Sequence, residues 1–154
     1  MYEQRNALKK YAKEYYLLGN ECVVSYKDYR AALANFDKAL ELDPDYVDAW
    51  VRKGVTYYDM NNYYDADICL NKAITLSPLS FKALYNRGKN RLAMNEPELA
   101  ITDLLKASSI KSDHAACHEY LSEGYTAIGD ELEAEKHYLV AQELRNRKEK
   151  LKGE

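Results

Sequence analysis

The stretch WVRKGVTYYDMNNYYDADICLNKAITLSP, residues 50–78, decides the fold. Trp50, Lys53, Gly54 and Tyr57 fall at i, i+3, i+4 and i+7, the spacing of one helical face. Asn61-Asn62 then makes a turn, and Ala66, Leu70 and Ala73 mark the inward face of a second helix. Ser77-Pro78 closes the unit. A serine N-cap followed by proline at the first helical position predicts that the next helix starts there. Asp43-Pro44 predicts the same start one unit earlier.

Working outward, the pattern recurs. Ala32, Ala66, Ala100 and Ala134 stand 34 residues apart, and Ala39, Ala73, Ala107 and Ala141 repeat that step seven residues later. A 34-residue period with small residues at fixed offsets is the mark of a helix–turn–helix solenoid. Alanine belongs there because two closely crossing helices leave no room for a longer side chain. Gly129, Asn61 and Asn95 are predicted to take the left-handed conformation that ends the first helix of a pair. Asn62 with Asp65, Asn95 with Glu98 and Asp130 with Glu133 read as caps of the second helices. Pro97 falls in a first turn, where its missing N–H is harmless. Gly19 to Tyr29 is one residue longer than Gly54 to Tyr63, which predicts a looser turn in the first unit.

These residues resemble the tetratricopeptide repeat, whose pattern is Trp-x2-Leu-Gly-x2-Tyr, then Ala-x3-Phe, Ala and Pro. Trp50, Gly54, Tyr57, Ala66, Ala73 and Pro78 match it. The first unit supplies Tyr15, Leu18, Gly19, Ala32, Phe36, Ala39 and Pro44. The third gives Leu84, Gly88, Ala100, Leu104 and Ala107, and the fourth Leu121, Tyr125, Gly129, Ala134, Tyr138 and Ala141. The resemblance covers residues 12–145 and implies an all-α, right-handed superhelical solenoid of four repeats. Their expected bounds are about 12–46, 47–80, 81–114 and 115–145, in a single domain of residues 1–154 with a polar helical tail at 146–154. No proline or glycine follows Leu144 until Gly153, so the last helix should run to about Lys150. Residues 2–11 should extend the first helix backward.

Composition narrows the function. A net charge of −3 and a pI near 5.7 argue against a general nucleic-acid binder. No apolar run reaches the length of a membrane span. Met1 to Lys13 carries Arg5, Lys9 and Lys10 with no continuous apolar stretch behind them, unlike a secretory signal. Cys22, Cys69 and Cys117 are odd in number and far apart, which suits neither a disulfide framework nor a paired-cysteine site. A cytoplasmic setting is the default expectation.

The resemblance also implies a concave wall lined by the first helix of each pair. Lys13, Tyr16 and Asn20 would face it from the first unit, and Asp48, Val51, Arg52, Val55, Tyr58 and Asp59 from the second. Lys82, Tyr85, Asn86 and Lys89 would follow from the third, and Glu119, Tyr120 and Glu123 from the fourth. Cations and amides converging in a groove hold a carboxylate by charge-assisted hydrogen bonds. The expected function is therefore a non-enzymatic module without cofactor, binding a protein or peptide segment that is acidic or ends in a carboxylate. The expected binding set is Tyr16, Asn20, Arg52, Val55, Tyr58, Lys82, Tyr85, Asn86 and Lys89.

Other readings compete. Some members of the family clamp chaperone tails with five residues, of which Asn20 and Lys82 match here, while Tyr16, Arg52 and Asn86 depart. A hydrophobic edge at Leu132, Leu139 and Leu144 suggests a self-assembling scaffold, a weak homo-oligomer joined through its ends. His114, Cys117 and His118 have the i, i+3, i+4 spacing of metal ligands. His118, however, occupies the packing slot filled earlier by Trp50 and Leu84, and no fourth ligand is evident. Tyr29, Tyr57, Tyr63 and Tyr138 read as helix-packing residues. The basic end, Arg145 to Lys150, reads as a solvated cap whose cations suit a helix C-terminus.

Overall fold

The computed structural model of the chain describes residues 2–151. Met1, Lys152, Gly153 and Glu154 lie outside them, including the last residues of the expected tail. The described residues form eight α-helices and no strand, the all-α helical-repeat fold expected. The chain divides into two compact units, Met1–Pro78 and Leu79–Glu154.

The first unit holds α1 (Tyr2–Tyr26), α2 (Tyr29–Leu42), α3 (Val47–Asp59) and α4 (Tyr63–Leu76). Here α1 packs on α2, α3 on α4, and α2 on α3. The second unit repeats this plan with α5 (Phe81–Ala93), α6 (Pro97–Ile110), α7 (Ala115–Ala127) and α8 (Glu131–Lys150). The last helix thus ends where the sequence places it.

Both alanine series lie in the core. Seven of the eight are fully buried and Ala134 is nearly so. The crossings are tight enough to require glycine as well. A Cβ on Gly54 would come within 2.8 Å of Leu70 Cγ, and one on Gly88 within 2.6 Å of Leu104 Cγ. Burying Phe36, Leu70, Leu104 and Leu121 against these small residues supplies the cores, at about 1.5–3 kcal/mol per large side chain.

Helix ends follow the sequence in part. Asn61, Asn95 and Gly129 have φ of 59°, 60° and 79°, as expected. The N–H groups of Asn62, Glu96 and Asp130 donate to the carbonyls of Tyr57, Arg91 and Tyr125, each closing across five residues. Between α1 and α2 the corresponding bond runs from Asp28 to Cys22, across six. The extra residue is therefore taken up in a wider closure, while the loop itself shrinks to Lys27 and Asp28. Lys27, at φ 55°, fills the left-handed position that the sequence did not reveal.

Three capping expectations are corrected. Ser77 and Asp43 end α4 and α2; their N–H groups donate to Ala73 and Ala39. The proline after each disfavours helix for the residue before it, so these pairs stop helices. The next helices start three residues later, after Ser80 and Tyr46, and Ser80 accepts from Ala83 N–H. Asn95 is the left-handed residue and not the cap; α6 is preceded by Glu96, which makes no side-chain cap bond. Asn62 and Asp130 do cap α4 and α8.

Candidate functional site

In the first unit the expected binding residues lie on α1 and α3. Arg52 Nε donates to Asn20 Oδ1 at 2.5 Å, joining the two helices. The bond fixes one edge of the guanidinium. Tyr16 packs on Tyr46 at 5.0 Å between ring centroids and on Phe36 at 6.1 Å. Burial, then the neighbouring Tyr16, Asp48 and Asp43, push the Tyr46 phenol up to about 12. Tyr58 tilts against Tyr63 at 5.5 Å, and Val55 is half-buried. Val51 departs from expectation. It is 3% exposed and belongs to the core rather than to a binding wall.

Lys53 lies where the repeat pattern expects an apolar residue. Its Nζ meets Asp37 at 2.6 Å and lies over the rings of Trp50 and Tyr57, at 5.6 and 5.9 Å. Burial acts to lower its pKa, but the bond and charge of Asp37 outweigh that and the net direction is upward. This cation ties α3 to α2.

The second unit carries a larger aromatic surface. Tyr85 stacks on Phe81 at 5.7 Å with rings 11° apart and tilts against Tyr120 at 5.8 Å. His114 sets its edge against both Phe81 and Tyr85 at 4.9 Å. Lys111 Nζ covers the Phe81 ring at 5.7 Å. Asn86 donates its amide to the Lys82 carbonyl at 2.8 Å. Lys82 is exposed and Lys89 half-buried on the same helix. Sequence reasoning named Tyr85 but missed Phe81 and His114 as its neighbours; Phe81 and Tyr85 at i, i+4 were the available signal.

His114, Cys117 and His118 do not converge. The ring Nδ1 of His114 accepts the Cys117 N–H and so caps α7. Cys117 Sγ points to the Leu104 carbonyl at 3.5 Å, and burial pushes its thiol up to about 11. His118 lies in the core, with Nδ1 3.0 Å from His137 Nδ1 and Nε2 3.1 Å from the Ser112 carbonyl. Among the described residues no group of three His, Cys, Asp or Glu side chains is placed to hold a metal. Of the tyrosines read as packing, Tyr29, Tyr57 and Tyr63 are half-buried, whereas Tyr138 is 52% exposed.

Residues 24–61 match the sequence family described as "TPR repeat", and residues 47–78 match "Tetratricopeptide repeat". The chain belongs to the tetratricopeptide repeat family. The BBSome complex member BBS4 of Xenopus tropicalis is 30% identical over 113 residues, which is 73% of this chain and 22% of that protein. Its Drosophila melanogaster homologue is 27% identical over 97 residues, 63% of this chain and 20% of that protein. The chain thus spans about a fifth of the length of these relatives.

Solved structures agree on the fold. The crystal structure of MamA superimposes with a TM-score of 0.82 at 24% identity, covering 90% of this chain and 81% of that one. The first tetratricopeptide domain of Spaghetti (RPAP3), solved bound to the HSP90 peptide SRMEEVD, gives 0.76 at 21% identity, covering 79% and 95%. As a tetratricopeptide repeat protein, the chain is a protein-interaction module. No helix among the described residues is long and apolar enough to cross a membrane.

Proposed function

We propose that this tetratricopeptide chain is a non-enzymatic adaptor that captures an acidic peptide segment, preferentially one ending in a free carboxylate. The observation that carries the reading is the second-unit surface, where Tyr85, on the helix that also bears Lys82, Asn86 and Lys89, joins Phe81, His114 and Tyr120 in a four-ring cluster. Tyrosine and phenylalanine rings offer contact area at low entropic cost, and the cations beside them favour a carboxylate. In the first unit Tyr16, Asn20, Arg52, Val55 and Tyr58 form the corresponding surface. Asn20 holds the Arg52 side chain and so lowers the ordering cost of any contact the guanidinium makes. A neighbour of the same fold bound to a peptide rich in acids supports the choice of ligand. A cytoplasmic setting is part of this reading, since Cys22, Cys69 and Cys117 stand as free thiols.

The test compares a peptide ending in Asp with a free carboxylate against its C-terminal amide. The free acid should bind better, and Lys82→Glu with Lys89→Glu should remove the difference. Equal binding of both peptides would sink the carboxylate preference. A second reading, self-association, rests on the exposed Leu132 and Leu139 of α8, 78% and 58% accessible. Sedimentation across concentrations separates it: a constant monomer rules it out.

A further inference from the structure

A second surface of the second unit adjoins the Tyr85 ring cluster through His114. The α6–α7 connection, the start of α7 and the end of α8 enclose an open cleft of about 640 Å³, within the range of roughly 300–1,000 Å³ common for ligand sites. Its floor is apolar and small, made by Ala115, Ala116 and Leu144. Its rim is cationic, carrying Lys111, Arg145, Arg147 and Lys148 against the single acid Asp113. On a chain of net charge −3 this is a local reversal of sign.

The four cations differ in what already holds them. Arg145 meets Glu119 at 2.5 Å, and Arg147 meets Glu143 on its own helix. Lys111 lies over the Phe81 ring with its charge at the cleft edge. The cleft is roofed by charge and floored by methyl groups, a combination that suits an extended chain with an acidic and an apolar side chain in succession. We propose that this cleft binds an acidic peptide segment, with Lys111 and Lys148 facing its carboxylates and an apolar side chain against Ala116 and Leu144. The cleft meets the edge of the Tyr85 ring cluster at His114, but Lys148 belongs to the cleft and Lys82 and Lys89 do not line it, so charge changes on the two sets test them apart.

His114, at the cleft wall, supplies an internal reporter. Burial first, then the charges of Lys111 and Lys148, lower its pKa, and Asp113 opposes them. A bound carboxylate adds negative charge beside the ring, so it must favour the imidazolium and raise the His114 pKa. A ligand remote from both the cleft and the Tyr85 rings leaves that value unchanged.

The experiment uses the whole chain and a labelled peptide of alternating Asp and Leu, blocked at both ends. Binding should weaken as salt rises, and the Lys111→Glu, Lys148→Glu variant should lose at least about tenfold in affinity. The Lys72→Glu variant, an exposed cation of the first unit, should bind this blocked peptide as the parent does. The His114 ring resonances should titrate at higher pH when the peptide is bound, and not with an Asn-for-Asp peptide. Lys111→Gln with Lys148→Gln, folded by circular dichroism, guards against a charge-reversal artefact and should also weaken binding. Unchanged affinity in both cleft variants, or a bound peptide that leaves His114 unmoved, overturns the site. So does tighter binding to phosphatidylserine vesicles or single-stranded DNA than to the peptide.

Discussion

His118 and His137 face each other in the core of the second unit, Nδ1 to Nδ1 at 3.0 Å. Their tautomers follow from their other partners. His118 Nε2 lies 3.1 Å from the Ser112 carbonyl, which can only accept, so that nitrogen carries the proton. Neutral His118 then has a bare Nδ1, and His137 must donate to it. Tyr125 stacks flat on the His137 ring at 5.6 Å, leaving His137 Nε2 directed toward Glu133 at 3.9 Å. One added proton fits, on His137 Nε2.

The pair makes stability depend on pH. Burial, and next the neighbouring His118 imidazole, lower the His137 pKa from its ordinary 6.5, against the partial opposition of Glu133. A histidine with a lower pKa folded than unfolded binds fewer protons when folded, so stability rises with pH across that window. The contribution is complete above the ordinary value and is lost as pH falls through it. Melting temperature should therefore drop between about pH 7.5 and 5.5. His137→Gln should flatten part of that slope. The remainder should belong to His114, whose pKa is lowered in the same direction. A slope identical in parent and His137→Gln would disprove the role of the pair.

A buried carboxylate holds α5 to α6. Asp103 is 3% exposed and accepts from Arg87 Nε at 2.8 Å, Arg87 Nη2 at 2.6 Å and Arg91 Nη1 at 2.8 Å. Removing the acid alone leaves two guanidinium groups in a half-buried site, so Asp103→Ala should cost about 3–5 kcal/mol. Replacing all three, with Arg87→Met, Arg91→Met and Asp103→Leu, should recover most of that loss, because it removes the desolvation cost with the charges. Urea unfolding of the two variants checks both signs.

The Gly88 crossing should show non-additive energetics. A methyl at position 88 meets Leu104 Cγ at 2.6 Å and the Ala100 carbonyl at 3.2 Å. Gly88→Ala should cost about 1–3 kcal/mol by overpacking, and Leu104→Ala about 2–5 kcal/mol by leaving a cavity. Together the new methyl enters the new space, so the double variant should lose less than the sum. Strict additivity in a double-mutant cycle would contradict the contact.

How much of this was legible in the sequence depends on the repeat register. The 34-residue step fixes the alanine series and the left-handed asparagines, because backbone geometry and close crossings tolerate few residue types. The same step also aligns Asn35, Cys69, Asp103 and His137, the last three buried. Period alone does not tell what that slot does. Its partners differ from repeat to repeat: Asn35 donates to the Ala31 carbonyl of its own helix, Asp103 takes two arginines of α5, and His137 takes a histidine of α7. Adjacency was legible where residues lay on one helix, as with Lys82, Asn86 and Lys89. It was hidden where it needed three-dimensional proximity, as with Arg52 and Asn20 or the ring cluster around Tyr85.

Lys27 offers the sharpest test of the helix ends, because it occupies the slot given elsewhere to Asn61, Asn95 and Gly129. Its φ of 55° places a Cβ against the following carbonyl, at a cost of about 1–2 kcal/mol that glycine avoids. Lys27 is exposed, so its replacement should disturb little packing. Lys27→Gly should therefore stabilise the first unit by about 1 kcal/mol, roughly 2–4 °C in melting temperature. Gly129 makes the mirror experiment. A Cβ there would meet nothing within 4 Å, so any loss on Gly129→Ala is conformational alone. That loss should also be about 1 kcal/mol, of opposite sign. Calorimetry of both variants decides the matter: a Lys27→Gly chain that melts lower than the parent would mean that the wider closure to Cys22, and not the left-handed residue, ends α1.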